Sequence, residues 1–189
     1  MGIKLVFVHG IKYQSDNQNK FSDIYKSADI QTSVTDRSSM SLIKDAVGST
    51  KINIEAMFSS GVASSPMYNS KIKVVSGNFI TAKPAGIKEG IDLQYTGEIR
   101  RIDALNIHKQ LEENAIVLLS PIGYSPSGEV FSLDYRDLAV QAAINLKAEK
   151  LIMFTQNEGI QDENGKLLRT LSISEAQKYL NNTGSYCEQ

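Results

Sequence analysis

The chain has 189 residues, which is enough for one domain with a buried core, and the sequence predicts a single domain over residues 1–189. Its 20 lysines and arginines nearly balance its 21 acidic residues, so a net charge of −1 offers no basic surface to nucleic acid or to an anionic membrane. The single cysteine, Cys187, excludes an intrachain disulfide and a thiolate zinc site and fits a reducing cytoplasm.

The chain carries no recognisable targeting or membrane-spanning segment. Its first apolar run, Ile3 to Val8, is too short for the hydrophobic region and cleavage site of a signal peptide. No other apolar run approaches the length of a membrane span. We therefore expect a soluble cytoplasmic protein without nucleic-acid or membrane partners.

The first predicted elements are a buried strand and a long helix. The strand runs from Met1 to Gly10 and ends in a turn at His9-Gly10. The helix begins at a capping residue, Ser38 or Ser39, and continues to Gly61, a plausible C-terminal glycine. Three apolar residues recur at helical spacing on one face: Met40, Ile43 and Val47.

A second strand, a hairpin and a second helix follow. The strand is predicted over Lys71 to Ile80, where Gly77 permits a bend or the close approach of a ligand. Short antiparallel strands of a hairpin are predicted over Asp92 to Ile99. Asp103 caps a helix that extends to Asn114. Its inward residues are Ile107 and Leu111.

The stretch from Ala115 to Ile160 predicts a βαβ unit. Ile116 to Leu119 is an apolar run without alternation, as in a parallel strand covered on both faces, and Leu151 to Phe154 is a second such run. Between them Asp134 opens a helix, and a last helix begins at Ser172 or Ser174. The helical face between the two strands is formed by Leu138, Ala142 and Leu146.

These elements predict an α/β fold, an open and mainly parallel sheet with helices on both faces and a β-hairpin excursion. Ligands of such sheets bind beyond the carboxyl ends of the strands. We therefore look for a site in the loops at Ser120–Ser132 and Thr155–Gly159, which follow the strands of the βαβ unit.

Several residues are candidates for this site, each with a structural alternative. Asp137 lies near the start of the crossover helix, where an acidic side chain also simply stabilises the helix by its interaction with the helix dipole. Gly77-Asn78 could approach a ligand or form a bulge. His9 follows a strand but has no partner at metal-ligand spacing, so we expect no metal site.

For the remaining candidates, a structural role is the favoured interpretation. Arg100-Arg101 with Asp103 could clamp an anion, but a solvated turn with a capping aspartate is the favoured interpretation. Ser125–Gly128 is typical of a turn, and His108 lies mid-helix as a surface or packing residue. No nucleophile–base pair is evident, so we predict no catalytic residue.

Three stretches resemble the amino-acid-kinase domain of bacterial N-acetylglutamate synthase. They are VVSGNFITAKPAGIKEGIDLQYTGEIRRID at 74–103, IVLLSPIGYSPSGEVFSL at 116–133 and LKAEKLIMFTQNEGI at 146–160. The resemblance continues through VFVHG at 6–10 and SVTD at 33–36, and it is collinear over nearly the whole chain.

This resemblance implies a three-layer αβα, carbamate-kinase-like fold, here incomplete. Family members join it to a GNAT-type acetyltransferase domain and make N-acetylglutamate from acetyl-CoA and L-glutamate, the first step of arginine biosynthesis. The kinase-like domain is regulatory, binds arginine and builds the oligomer. The resemblance thus implies glutamate or arginine as ligand, and a homo-oligomer or a separate acetyltransferase chain as partner. This chain itself requires no cofactor; acetyl-CoA serves the full-length enzyme.

The sequence departs from the family pattern in ways that argue against catalysis. The family's first strand and phosphate-cradling loop, the arginine-binding half and the acetyltransferase domain are absent, so we predict a domain truncated at both ends. The loop at Gly10 is less glycine-rich than in kinases. Ser33 and Ser132 replace a usual arginine and asparagine, and a serine cannot form a bidentate charged fork. Asp137 matches the carboxylate that organises the kinase site.

The predicted function is therefore that of a regulatory, amino-acid-binding domain without catalysis of its own. The alternatives are an acetylglutamate-kinase-like enzyme and an assembly module that binds no ligand. The candidate ligand-binding residues are Gly10, Ser33, Gly77, Asn78, Ser132 and Asp137.

Overall fold

The computed structural model describes residues 3–11, 34–59, 72–155, 159–161 and 167–182. It divides into two compact units, Met1–Lys150 and Leu151–Gln189. The predicted helix end at Gly61 and the candidate Ser33 lie outside the described residues. No helix of the described segments has the length and apolar character needed to cross a membrane.

The described residues of the first unit form nine strands and three helices. The strands are β1 (Val6–Val8), β2 (Val74–Ser76), β3 (Ile80–Pro84), β4 (Ile87–Lys88), β5 (Ile91–Asp92), β6 (Gly97–Ile102), β7 (Ile116–Leu119), β8 (Ile122–Tyr124) and β9 (Val130–Ser132). The helices are α1 (Arg37–Ser59), α2 (Ala104–Glu112) and α3 (Tyr135–Asn145). The second unit contributes α4 (Ile173–Asn182).

The core of the first unit is a parallel sheet in the order β1-β7-β2. The strand β7 lies at its centre and pairs in register with both neighbours, as Val117 does with Val6 and Val75. Three consecutive residues of β7, Val117 to Leu119, are at most 1% exposed. A strand buried on both faces needs no polar alternation, so the apolar run correctly predicted its position.

Helices cover this sheet on both faces, which confirms the predicted αβα layering. On one face Val117 and Leu119 belong to the same core cluster as the inward residues of α2 and α3. On the other face Phe7 stacks edge-to-face on Phe58 of α1, with ring centroids 6.4 Å apart. The hydroxyl of Ser76, in the same row, donates to Glu55 of α1 at 3.1 Å.

Antiparallel pairing is more extensive than the single predicted hairpin. A second sheet has the order β6-β3-β8-β9, in which the pairs β3–β6 and β8–β9 are antiparallel. The hairpin predicted over Asp92 to Ile99 is wrong in position, since the hairpin strands are β4 and β5. Its turn contains Gly90 at φ +80°, a left-handed conformation that favours glycine. The single strand predicted over Lys71 to Ile80 is likewise wrong, because the chain turns after Gly77: β2 ends at Ser76, and β3 begins at Ile80 in a different sheet.

Side-chain caps set the starts of the helices. Asp103 accepts from the backbone N–H of Asn106, as predicted, and Ser172 precedes α4 in a reciprocal capping box with Glu175. The predicted cap of α1 at Ser38 or Ser39 is wrong, because Asp36 accepts both the Ser39 N–H at 2.7 Å and the Ser38 hydroxyl at 2.9 Å. A carboxylate at this position satisfies two donors of the first turn at once.

The predicted strand at Leu151 to Phe154 is also wrong. These residues have no regular structure and are exposed, Phe154 by 93%. An apolar run becomes a strand only where a neighbouring strand accepts its backbone hydrogen bonds. The two neighbours of β7 are β1 and β2, both earlier in the chain. In the described part of the second unit, pairing is limited to the bridge Gln161–Leu167.

The close packing of β8 gives a test of this architecture. A methyl group on Gly123 would lie 2.5 Å from Cβ of Ala82 and 3.0 Å from Cδ1 of Leu133, so Gly123→Ala overfills the core. We expect it to lower the free energy of unfolding by about 1–3 kcal/mol in urea denaturation.

Gly48→Ala is the matched control. It lies within α1, where an added methyl meets nothing within 4 Å, and there alanine stabilises a helix by about 0.5–1 kcal/mol. Equal unfolding midpoints for the two variants would contradict the close contact at Gly123.

Candidate functional site

The three parallel strands of the central sheet end at the same edge. Because Val8 pairs with Leu119 and Ser76 with Leu118, the residues after each strand are neighbours. We call this set the carboxyl edge: His9, Gly10, Gly77, Asn78 and Ser120. Ligands of open parallel sheets bind at this position.

His9 joins two strands of the carboxyl edge through its ring. It is 4% exposed, its Nδ1 lies 3.1 Å from the carbonyl oxygen of Gly10, and its Nε2 lies 2.9 Å from Oγ of Ser120. A carbonyl oxygen only accepts, so Nδ1 carries the proton and Nε2 of the neutral ring accepts from the Ser120 hydroxyl. Burial lowers the pKa of His9 from its ordinary value, and the hydrogen bond to Gly10 opposes this in part.

The start of α3 lies close to Gly10 at the same edge. A Cβ atom on Gly10 would lie 3.5 Å from the ring of Tyr135, the first residue of α3, so any larger side chain would meet that ring. The preceding Asp134 caps the helix by accepting from the N–H groups of Arg136 at 2.6 Å and Asp137 at 3.1 Å. The Arg136 guanidinium pairs with the same carboxylate at 3.3 Å.

The structure places five of the six predicted ligand-binding residues among its described parts. Gly10, Gly77 and Asn78 lie at the carboxyl edge, where both Gly77 and Asn78 are exposed. Ser132 lies in β9, paired with Ile122, and its N–H donates to Tyr95. Asp137 lies half-buried in the first turn of α3. Ser33 falls outside the described residues.

The other candidates have the structural roles that the sequence favours. Asp103 caps α2, and hydrogen bonds from the side chain and N–H of Asn106 lower the pKa of its carboxyl. Arg100 and Arg101 are exposed on β6. The segment Ser125–Gly128 is a turn closed by the Gly128 N–H on the Ser125 carbonyl, with Gly128 at φ +86°.

Sequence reasoning placed Ser120 in a candidate loop, Ser120–Ser132, without giving it a role, and it missed Tyr135. Ser120 directly follows the apolar run of β7, and that position is the only signal the sequence offers. Its contact with His9 spans 111 positions of the chain. No group of three or more His, Cys, Asp or Glu side chains within the described segments could hold a metal ion.

The chain is similar to known proteins in sequence and in structure. The amino acid kinase family model matches residues 1–186. The chain is 43% identical over 185 residues to the amino-acid acetyltransferase of Pseudomonas fluorescens, covering 98% of this chain and 43% of that protein. The amino-acid acetyltransferase of Azotobacter vinelandii gives the same identity and the same coverage. The chain thus spans less than half the length of these relatives.

Solved structures agree with the sequence matches. The chain is similar to N-acetylglutamate synthase from Neisseria gonorrhoeae complexed with coenzyme A and L-arginine, at 33% identity and a TM-score of 0.81. That match covers 95% of this chain and 42% of the other. The complex of the same enzyme with coenzyme A and N-acetyl-glutamate gives 36% identity and a TM-score of 0.70 over 78% of this chain and 33% of the other.

The burial of His9 predicts how stability changes with pH. A histidine with a lowered pKa in the folded state binds fewer protons than the unfolded chain, so stability is present above the unfolded pKa of about 6.5 and lost below it. We expect the free energy of unfolding in urea to fall between pH 7.5 and 5.5. His9→Gln should flatten this dependence.

His108→Gln serves as the control, because His108 is the other histidine of the chain and lies in α2. The His108 variant should keep the fall in stability with decreasing pH. If the wild type and His9→Gln show the same slope, His9 does not carry the effect.

Proposed function

This chain belongs to the amino acid kinase family, and from that premise we propose that it is the regulatory, amino-acid-binding portion of an N-acetylglutamate synthase, without catalysis of its own. The complete enzyme would transfer the acetyl group of acetyl-CoA to L-glutamate, the first step of arginine biosynthesis. The similarity to N-acetylglutamate synthase over 95% of this chain carries the proposal.

The acetyltransferase reaction would be supplied outside these 189 residues. The match of the amino acid kinase model to residues 1–186 supports this part of the proposal. We infer that the acetyltransferase domain belongs either to a longer protein or to a separate partner chain, and that the assembly is a cytoplasmic homo-oligomer. Coenzyme A, bound by the Neisseria gonorrhoeae enzyme, would then serve the assembly and not this chain alone.

The ligand in our proposal is an amino acid, glutamate or arginine, and its site in this chain is the carboxyl edge, not the arginine-binding half described for the family. L-Arginine is present in one complex of the Neisseria gonorrhoeae enzyme and N-acetyl-glutamate in the other. The exposed backbone at Gly77-Asn78 and the side chain of Ser120 provide hydrogen-bonding groups at an open sheet end. These groups match the donors and acceptors of a small zwitterion.

Phosphoryl transfer is the less favoured alternative. A helix N-terminus binds phosphate through its free N–H groups, but at α3 the Asp134 carboxylate accepts two of them. Asp137 supports this alternative, since the resemblance to the family matches it to the carboxylate that organises kinase sites, and it lies in the first turn of α3.

A ligand panel tests the proposal. A ligand that binds only the native state stabilises it by about 2.7 kcal/mol at one hundred times its dissociation constant. We expect L-glutamate or L-arginine to raise the thermal midpoint, and ATP–Mg and acetyl-CoA to leave it unchanged. N-acetylglutamate completes the panel. Flat curves for all five compounds would favour a non-binding assembly module.

A pair of asparagine variants locates the binding site. Asn78→Ala changes an exposed residue of the carboxyl edge, and Asn53→Ala changes an exposed residue of α1. We expect the first to weaken the ligand-dependent shift and the second to preserve it. Equal shifts in both variants would move the site away from the carboxyl edge.

A kinase assay tests the alternative, an acetylglutamate-kinase-like enzyme. We expect no transfer of phosphate from ATP to N-acetylglutamate, even at high enzyme concentration. Turnover that Asp137→Asn abolishes would replace our proposal with a small-molecule kinase.

A further inference from the structure

Ser120 presents a hydroxyl group whose proton is already committed. Nδ1 of His9 must donate to the Gly10 carbonyl, since that oxygen cannot donate, and Nε2 of the neutral ring therefore accepts from the Ser120 hydroxyl at 2.9 Å. A serine hydroxyl has one proton and two lone pairs. What Ser120 can offer to a ligand is therefore a lone pair, and not a proton.

The positions of the two residues support a role toward a ligand. His9 is 4% exposed, whereas Ser120 is half-buried and is the first residue beyond the carboxyl end of β7. The histidine thus supports the hydroxyl from the buried side of the carboxyl edge. The orientation of the hydroxyl is fixed before any ligand arrives, which lowers the ordering cost of binding.

The neighbouring charges favour a cation. The start of α3 lies close to this edge, since a Cβ atom on Gly10 would lie 3.5 Å from the ring of Tyr135. Two half-buried carboxylates belong to this helix start, the N-cap Asp134 and Asp137 of the first turn. Arg136 pairs with Asp134 and so offsets one of these two negative charges. The lowered pKa of His9 keeps its ring neutral near pH 7, so the ring adds no positive charge.

We propose that Ser120 is a specificity-determining residue that accepts a hydrogen bond from the α-ammonium group of an amino-acid ligand. His9 is the positioning residue that holds the Ser120 proton away from that group. This inference rests on the proposed function, namely that an amino acid binds at the carboxyl edge. It adds which part of the ligand is recognised and by which atom.

Ligand pairs that differ in the amino group test the inference without any variant. Isothermal titration calorimetry compares L-glutamate with glutarate and L-arginine with 5-guanidinopentanoate, each pair on the wild-type chain. A hydrogen bond to a charged group corresponds to a factor of about ten or more in Kd. We expect at least one amino acid to bind about ten-fold or more tightly than its deamino analogue.

Variants then assign this preference to Ser120. Ser120→Ala should raise the Kd of the amino acid about ten-fold and leave the Kd of its deamino analogue nearly unchanged. Ser120→Thr keeps a hydroxyl group and should restore the preference for the amino acid. His9→Phe keeps a buried ring without Nε2 and should reduce the preference as well. Ser41→Ala, at an exposed position of α1, is the matched control and should behave as the wild type.

The outcomes separate the inference from the proposed function. If an amino acid binds but Ser120→Ala affects it and its analogue equally, or affects neither, the inference is wrong and the proposed function stands. The inference is also wrong, and the proposed function still stands, if the wild type binds each amino acid no more tightly than its deamino analogue. If neither amino acid binds, the proposed function fails and the inference fails with it.

Discussion

The burial of β7 on both faces is the constraint on which the first unit depends. Val117, Leu118 and Leu119 are each at most 1% exposed, so both faces of this strand must be covered and both of its edges paired. The strands β1 and β2 satisfy the edges, α1 covers one face, and α2 and α3 cover the other. The carboxyl edge follows from this arrangement, because three parallel strands that share a register also share the point at which they end.

A sheet buried in this way leaves little tolerance for polar groups beside it. His9 lies at the end of β1 and is almost fully buried, so each of its nitrogens requires a partner. Gly10 and Ser120 supply them, and no buried side-chain polar atom within the described ranges lacks a hydrogen bond. Polar groups at the strand ends thereby join β1 to β7, and these contacts also belong to the candidate site.

Local patterns predicted what depends on local interactions. The apolar run of β7, the caps at Asp103 and Asp134, and the face of α1 follow from neighbours within a few residues, and all were correctly predicted. The pairing partners of strands were not correctly predicted. The position of the hairpin and the exposure of Leu151–Phe154 depend on which distant strands are available for pairing. The candidate site divides similarly: the strand-end rule directed the search to Ser120–Ser132, whose first residue lies at the carboxyl edge, but the contact of His9 with Ser120 spans 111 positions.

The capping of α3 affects which charged groups suit the carboxyl edge. Kinases that bind nucleotide at the end of a parallel sheet need unoccupied backbone N–H groups and positive charge around the phosphates. Here Asp134 accepts the N–H groups of Arg136 and Asp137, and it forms an ion pair with the Arg136 side chain. The positive end of the helix dipole is thus offset by a carboxylate before any ligand arrives. Acceptors and negative charge at the start of α3 suit an ammonium group better than a phosphate group, which supports our proposal that the carboxyl edge binds an amino acid and does not transfer phosphate.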